Sequence, residues 1–165
     1  RIDANQGWSL GDTIKFYDET KQIELIEQPL SVEDLGNYLN FPSKIKDIIA
    51  LDESLVNFED AIKLSSQNYG KIFNIKLMKC GGITTGQQIA NQAYKNNIDL
   101  MWGCNDESII SISAALNIAL SFENTKYLDL DGSFDLERDI VSGGFNLKDG
   151  VLHPLNSPGL GVKLL

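Results

Sequence analysis

One histidine and two cysteines leave too few soft ligands for a four-ligand Cys/His zinc site. The cysteines, Cys80 and Cys104, form no disulfide framework and read as free thiols in a reducing compartment. Ser-His-Asp or Cys-His chemistry would have to use His153, the single histidine, in a Pro-rich tail region, and that argues against both. No apolar run approaches the length of a bilayer span. Basic residues number 14 against 23 acidic ones, a net charge of −9, and no basic patch stands out. Nucleic acid and anionic membrane are therefore poor partners. The lone diglycine Gly81–Gly82 lacks both phosphate-loop signatures and reads as a turn. The opening RIDANQGW is polar from its third residue, so no leader is expected and a cytoplasmic location is. Because the chain begins at Arg1 and enters directly on a strand, a piece of a longer protein is expected.

What remains is an ordinary globular composition, 42% hydrophobic and 22% charged over 165 residues, enough for one domain. Apolar runs alternate with amphipathic ones. Strands are expected at Arg1–Asn5, Ile23–Ile26, Ile48–Leu51, Ile72–Met78, Ile98–Trp102 and Lys126–Leu130. Helices are expected around Thr13–Tyr17, after Ser31 to Tyr38, from Asn57 to Ser66, from Thr84 or Thr85 to Tyr94, and over Ile109–Phe122. In the third, Phe58, Ala61, Ile62 and Leu64 are expected on or near the inner side. Beyond Gly132 the pattern breaks; two short strands are expected at Asp139–Val141 and Phe145–Lys148, around Gly143–Gly144, then a loop over Pro154–Gly161. Six strands alternating with helices argue for parallel βαβ units, in a sheet either open or closed into a barrel.

Asp3, Glu27, Asp52 and Lys76 recur at one place in that pattern, with gaps of 24, 25 and 24 residues. Parallel strands present their C-terminal ends to ligands. One strand-end acid commonly just caps the next helix. Three in register would repel one another strongly unless a cation joined them, and oxygen ligands suit Mg²⁺. Alternation puts Asn74, Lys76 and Met78 on one face of their strand. An inward lysine near a divalent cation would lose basicity and become a usable base. Lys79, three residues on, is expected on the other face as a surface lysine. Further along, period two puts Asp129 and Asp131 on one face and Leu128 and Leu130 on the other. Two acids at the mouth suit a primary ammonium, although a DxD turn can also bind its own backbone or a second cation.

RIDAN, IELIEQPL, IALDES, FNIKLMKCGG, MWGCNDES and YLDLDG, in this order, resemble the enolase superfamily. More narrowly the chain resembles the muconate-lactonising subgroup and, through the DLD of Asp129–Asp131, its dipeptide epimerases of the L-Ala-D/L-Glu type. The resemblance spans nearly the whole chain. It implies an α/β fold, a (β/α) TIM-type barrel incomplete at about six units, strands 3 to 8. Residues 1–135 would form that barrel, and residues 136–165 an extension packing back on it or on a capping domain. An open barrel would expose two sheet edges and an apolar interior.

The resemblance also implies roles. Asp3, Glu27 and Asp52 would bind Mg²⁺. Lys76 would be an acid/base, Asp129 and Asp131 would hold a dipeptide's α-ammonium, and Cys104 and Asp106 would contact substrate. The reaction would remove the α-proton beside a carboxylate through a metal-stabilised enediolate. A second lysine, in a KxK motif on an earlier barrel strand, would return the proton on the opposite face. The partner would be a small dipeptide, cell-wall peptide turnover being one source, and self-association stays open. Alternatives are an N-acylamino-acid racemase, an o-succinylbenzoate synthase, a muconate cycloisomerase, or a non-catalytic fragment lacking the second lysine.

Overall fold

The computed structural model describes residues 1–20 and 22–165. Six strands form one parallel sheet in sequence order, each joined to the next through helix. They are β1 (Ile2–Asp3), β2 (Ile26–Glu27), β3 (Ile49–Leu51), β4 (Ile72–Lys76), β5 (Asp99–Gly103) and β6 (Thr125–Leu128). The helices are α1 (Leu10–Thr20), α2 (Ser43–Lys46), α3 (Phe58–Ser65), α4 (Leu77–Cys80), α5 (Ile83–Lys95) and α6 (Ile109–Ala119), with a 3₁₀ helix at Val32–Asn40. The architecture is α/β, and the six parallel strands form a curled half-barrel sheet, consistent with an incomplete TIM-type barrel. β1 and β6 do not pair. Arg1 links them: it donates to Leu128 O at 3.3 Å and lies 4.8 Å over the Tyr127 ring.

Alternation along the strands builds two layers. Ile49, Leu51, Phe73, Ile75, Leu100 and Trp102 belong to the main core, with Ala61, Leu64, Ile89, Ala90 and Ile112 of the helices. Leu25, Ala50, Ile72 and Met101 form a separate small cluster with Tyr127. These are the in-between positions, so they line the concave face of the sheet. Continuing that set by twos along each strand gives Glu27, Asp52, Asn74, Lys76 and Gly103. The pleat that buries Ile72 in the concave layer therefore also delivers Lys76 to its mouth.

Local signals explain most element limits. Asn57 and Asp60 form a reciprocal capping box at the start of α3. Ser9 and Asp12 make the same kind of exchange, which starts α1 earlier than the expected Thr13. Other expectations need correction. Strand β2 is Ile26–Glu27 rather than Ile23–Ile26, so Glu27 ends the strand instead of following it. Ile62 is 48% exposed and not on the inner side of α3; Ala61 and Leu64 carry that packing. Leu128 and Leu130 do not share a face: β6 stops at Leu128, which is exposed, while Leu130 is buried.

After β6 come two antiparallel pairs. β7 (Val141–Gly143) pairs with β10 (Val162–Leu164), and β8 (Phe145–Lys148) pairs with β9 (Val151–Pro154). The last lies partly in the segment expected as loop. Asp139 ties this region to the barrel by accepting from Ser108 Oγ at 2.8 Å and Ile109 N at 2.6 Å, at the start of α6. Among the described residues no helix is long and apolar enough to cross a membrane.

Candidate functional site

Six consecutive strand ends meet at one rim. Asp3, Glu27, Lys76 and Gly103 close β1, β2, β4 and β5, while Asp52 and Asp129 directly follow β3 and β6. Register fixes the neighbours: Asp3 lies beside Glu27, and Lys76 beside Gly103. Glu27 and Asp52 are each only 5% exposed.

Asp52 is the centre of charge. Lys76 Nζ meets its Oδ2 at 2.7 Å, and Lys79 Nζ meets Oδ1. Burial pushes Asp52 up, but the two ammonium groups outweigh it and hold the carboxyl below the ordinary range. Burial likewise pushes Lys76 down, yet Asp52, Glu27 and Asp3 together leave it above the ordinary lysine value. A cation beside it would work in the opposite direction. Lys79 is a correction. It was expected on the far face, but β4 ends at Lys76 and α4 turns the chain back. Gly82 N bonds Leu77 O at 2.8 Å around Gly81, whose φ of 87° suits glycine. Met78, expected to share the Lys76 face, is instead 57% exposed on that turn.

Glu27 accepts from Asn74 Nδ2 at 2.6 Å, and Asn74 is wholly buried. Gly103 is what leaves room: a Cβ there would meet Asn74 Oδ1 at 2.6 Å and Lys76 Cε at 3.1 Å. Gln28 is a residue the sequence reading passed over, though it stands inside the IEQP motif. Its carbonyl accepts from Asp52 N at 3.0 Å and Ser54 N at 3.2 Å. Its amide nitrogen reaches Leu30 O, Tyr38 Oη and Ser54 Oγ. One buried amide thus locks the loop after Glu27 to the loop that carries Asp52.

On the other side of the rim, Cys104 Sγ contacts Asp129 O at 3.3 Å and Asp131 Oδ1 at 4.0 Å, and accepts from Gly132 N at 3.3 Å. Burial first, with nearby carboxylates adding to it against the Gly132 hydrogen bond, pushes its thiol up to about 11. Asp106 is exposed in the same loop, which Glu107 anchors by accepting from Asn105 N at 2.8 Å. Asp129 and Asp131 line an open cavity of about 310 Å³ with Phe134, Leu147, Val151 and Leu152.

The family model for enolase C-terminal domain-like proteins matches residues 1–165. The chain belongs to that family. It is 51% identical to an L-Lys-D/L-Arg epimerase of Desulforapulum autotrophicum, over 99% of this chain and 47% of the relative. It is 31% identical to the L-Ala-D/L-Glu epimerase of Bacillus subtilis, over 98% of this chain and 45% of that protein. A crystal structure of the Methylococcus capsulatus dipeptide epimerase, complexed with Mg and L-Arg-D-Lys, superposes with a TM-score of 0.92. It shares 48% identity over 98% of this chain and 47% of that one. This enolase-family chain spans about half the length of the curated relatives it matches.

The donor set at the rim suits a hard divalent cation. It offers carboxylate oxygens from three adjacent strands, two of them deeply buried, and Asn74 Oδ1 is buried without a partner. Among the described residues no three acidic, His or Cys groups are placed closely enough to hold a metal ion together, and Asp52 is paired with Lys76 and Lys79. The arrangement is electrostatically unrelieved at Glu27. Burial, then the Asp52 charge, push its carboxyl from 4.5 to about 7, against the Asn74 hydrogen bond.

That gives a pH dependence. The unfolded chain ionises Glu27 near 4.5, while the folded state resists until about 7. The stability this group contributes is full below 4.5 and lost as pH rises through 7. With a chelator present, the unfolding free energy of wild type minus that of Glu27→Gln should fall by up to ~3 kcal/mol between about pH 4.5 and 7.5. Denaturant melts at each pH measure it. A difference that stays flat would mean Glu27 ionises freely in the folded protein.

Proposed function

We propose that this chain is the catalytic barrel portion of a Mg²⁺-dependent dipeptide epimerase, with its six strands at positions 3 to 8 of an eight-strand barrel. The observation that carries the reading is the junction of Lys76 with Asp52 and Glu27 at the mouth, in a chain 48% identical to a structure named as a dipeptide epimerase. Asp3, Glu27 and Asp52 would hold the cation. Bound there, it would supply the positive charge that stabilises a substrate carboxylate as the adjacent α-proton leaves.

The chain's own residues do the rest. Lys76, with its side chain 17% exposed, is reachable from the mouth yet shielded, and would take and return that proton on one face. Inversion needs a second acid/base on the opposite face, which we assign to an earlier strand of the complete barrel. Asn74 and Gln28 keep Glu27 and the Asp52 loop in place. Asp129 and Asp131 would receive the dipeptide's α-ammonium, with Cys104 and Asp106 beside it.

We further infer that the preferred dipeptides are cationic. Two relatives, 51% and 47% identical, are named L-Lys-D/L-Arg epimerases. The rim agrees in charge, because Asp106, Asp129 and Asp131 form no ion pair among the described residues.

The test is α-proton exchange in D₂O by the complete protein with Mg²⁺, followed by NMR across a dipeptide panel. Exchange with appearance of the other diastereomer, fastest for Lys- and Arg-containing dipeptides, is expected. Bound Mg²⁺ with no exchange on any dipeptide would reject the epimerase reading. Exchange fastest on Ala-Glu would reject the cationic preference alone.

A further inference from the structure

Two lysines approach Asp52, and they hold it differently. Lys76 reaches Oδ2 from the strand at 2.7 Å. Lys79 meets Oδ1 and, in addition, donates to the main-chain O of Asp52 at 2.5 Å. A side chain tied twice to one residue stays ordered when either bond is strained; one tied once does not. Each carboxylate oxygen carries one ammonium, so a cation arriving at Asp52 competes with at least one of them. The singly tied lysine is the one free to leave.

The fold is built to deliver Lys79 here. α4 is a single turn, closed by Gly81 and Gly82, that bends the chain back over the end of β3. Leu77 packs this turn against α5, where a Cβ on Gly86 would come within 2.9 Å of Leu77 Cδ2. Lys79 is thus held at the rim, its side chain only 18% exposed.

We infer that Lys79 is a positioning residue, a fixed clamp on Oδ1 of Asp52 that turns Oδ2 toward the cation and leaves Lys76 free for proton transfer. The inference rests on the metal and acid/base reading above. The sign of one measurement separates the clamp from its rival. A lysine that only adds positive charge repels a cation, so its removal tightens metal binding. A lysine that orients a ligand does the reverse, and losing such an outer partner weakens metal affinity by roughly 10–100-fold.

The experiment is Mg²⁺ titration calorimetry on the complete protein, wild type against Lys79→Met, Lys79→Gln and Lys79→Arg. Met and Gln are expected to weaken binding tenfold or more. Arg keeps the charge and the donors and should stay within about threefold. Folded Lys79→Met or Lys79→Gln protein with Mg²⁺ affinity within twofold of wild type, or tighter, overturns the clamp. Gln keeps a polar group against the Asp52 carbonyl, so it decides the matter should Met fail to fold. Wild-type protein that binds no Mg²⁺ would overturn the metal reading and the clamp together. Wild type that binds Mg²⁺, with Lys79→Met unchanged, would overturn the clamp alone.

Discussion

Replacing Lys76 with alanine should abolish α-proton exchange, by at least ~10³-fold, within the range that a positioned acid/base contributes. The side chain is inward, 17% exposed, and bonded to Asp52 at 2.7 Å. Burial lowers its basicity, but Asp52, Glu27 and Asp3 hold its ammonium above the ordinary lysine value. As a base it must first lose that proton, and a divalent cation sharing the carboxylates would supply the needed repulsion. Lys76→Arg should be equally inactive, since guanidinium keeps the charge but does not deprotonate. Both variants should still bind Mg²⁺, because neither removes a carboxylate. The readout is deuterium wash-in by NMR at saturating Mg²⁺ and dipeptide. Exchange within tenfold of wild type in Lys76→Ala would sink the acid/base assignment.

Much of this site was legible because a βα unit has a nearly constant length. Gaps of 24 and 25 residues marked equivalent places on successive units. Strand-end chemistry survives small errors in strand limits, so Glu27 was placed at the rim even though β2 was drawn too early. Lys79 failed for the opposite reason. IFNIKLMK alternates well enough to read as one long strand, yet β4 stops at Lys76. What stops it is the Gly81–Gly82 turn together with the Leu77 side chain seating against α5, and the second of these is tertiary. Gln28 was missed because its value is contextual: four groups on the two loops, with Tyr38 Oη as a fifth, converge on one amide, and nothing in its own neighbourhood announces that. The paired short strands after Val141 carry weak alternation and take their places from contacts such as Asp139 with the start of α6.

The second large effect is expected at Asp129. Its carboxyl is pushed up from the ordinary value, first by burial and then by Asp131 alongside, with Arg1 and Lys76 partly offsetting. Two carboxylates placed together with no ion pair among the described residues are poised for a cation. Their loops are held firmly: Asp129 N bonds Trp102 O at 2.9 Å, and Gly132 packs so closely that a Cβ there would lie 1.9 Å from Asn105 O. The pair therefore cannot easily swing apart to relieve itself. Asp129→Asn keeps the shape and removes the charge. A hydrogen bond to a charged group contributes about 1.5–3 kcal/mol, so kcat/KM for a free-amine dipeptide should fall roughly 10- to 150-fold. Adding Asp131→Asn should cost less than the sum of the two single changes, because they share one ammonium. An N-acetylated dipeptide, which has no ammonium, should be a poor substrate for wild type and lose little further in Asp129→Asn. Steady-state kinetics on both substrates decides it. Equal losses on free and acetylated dipeptides would make Asp129 a structural residue of the rim. Efficient turnover of the acetylated substrate by wild type would instead point to an acylamino-acid racemase built on the same barrel.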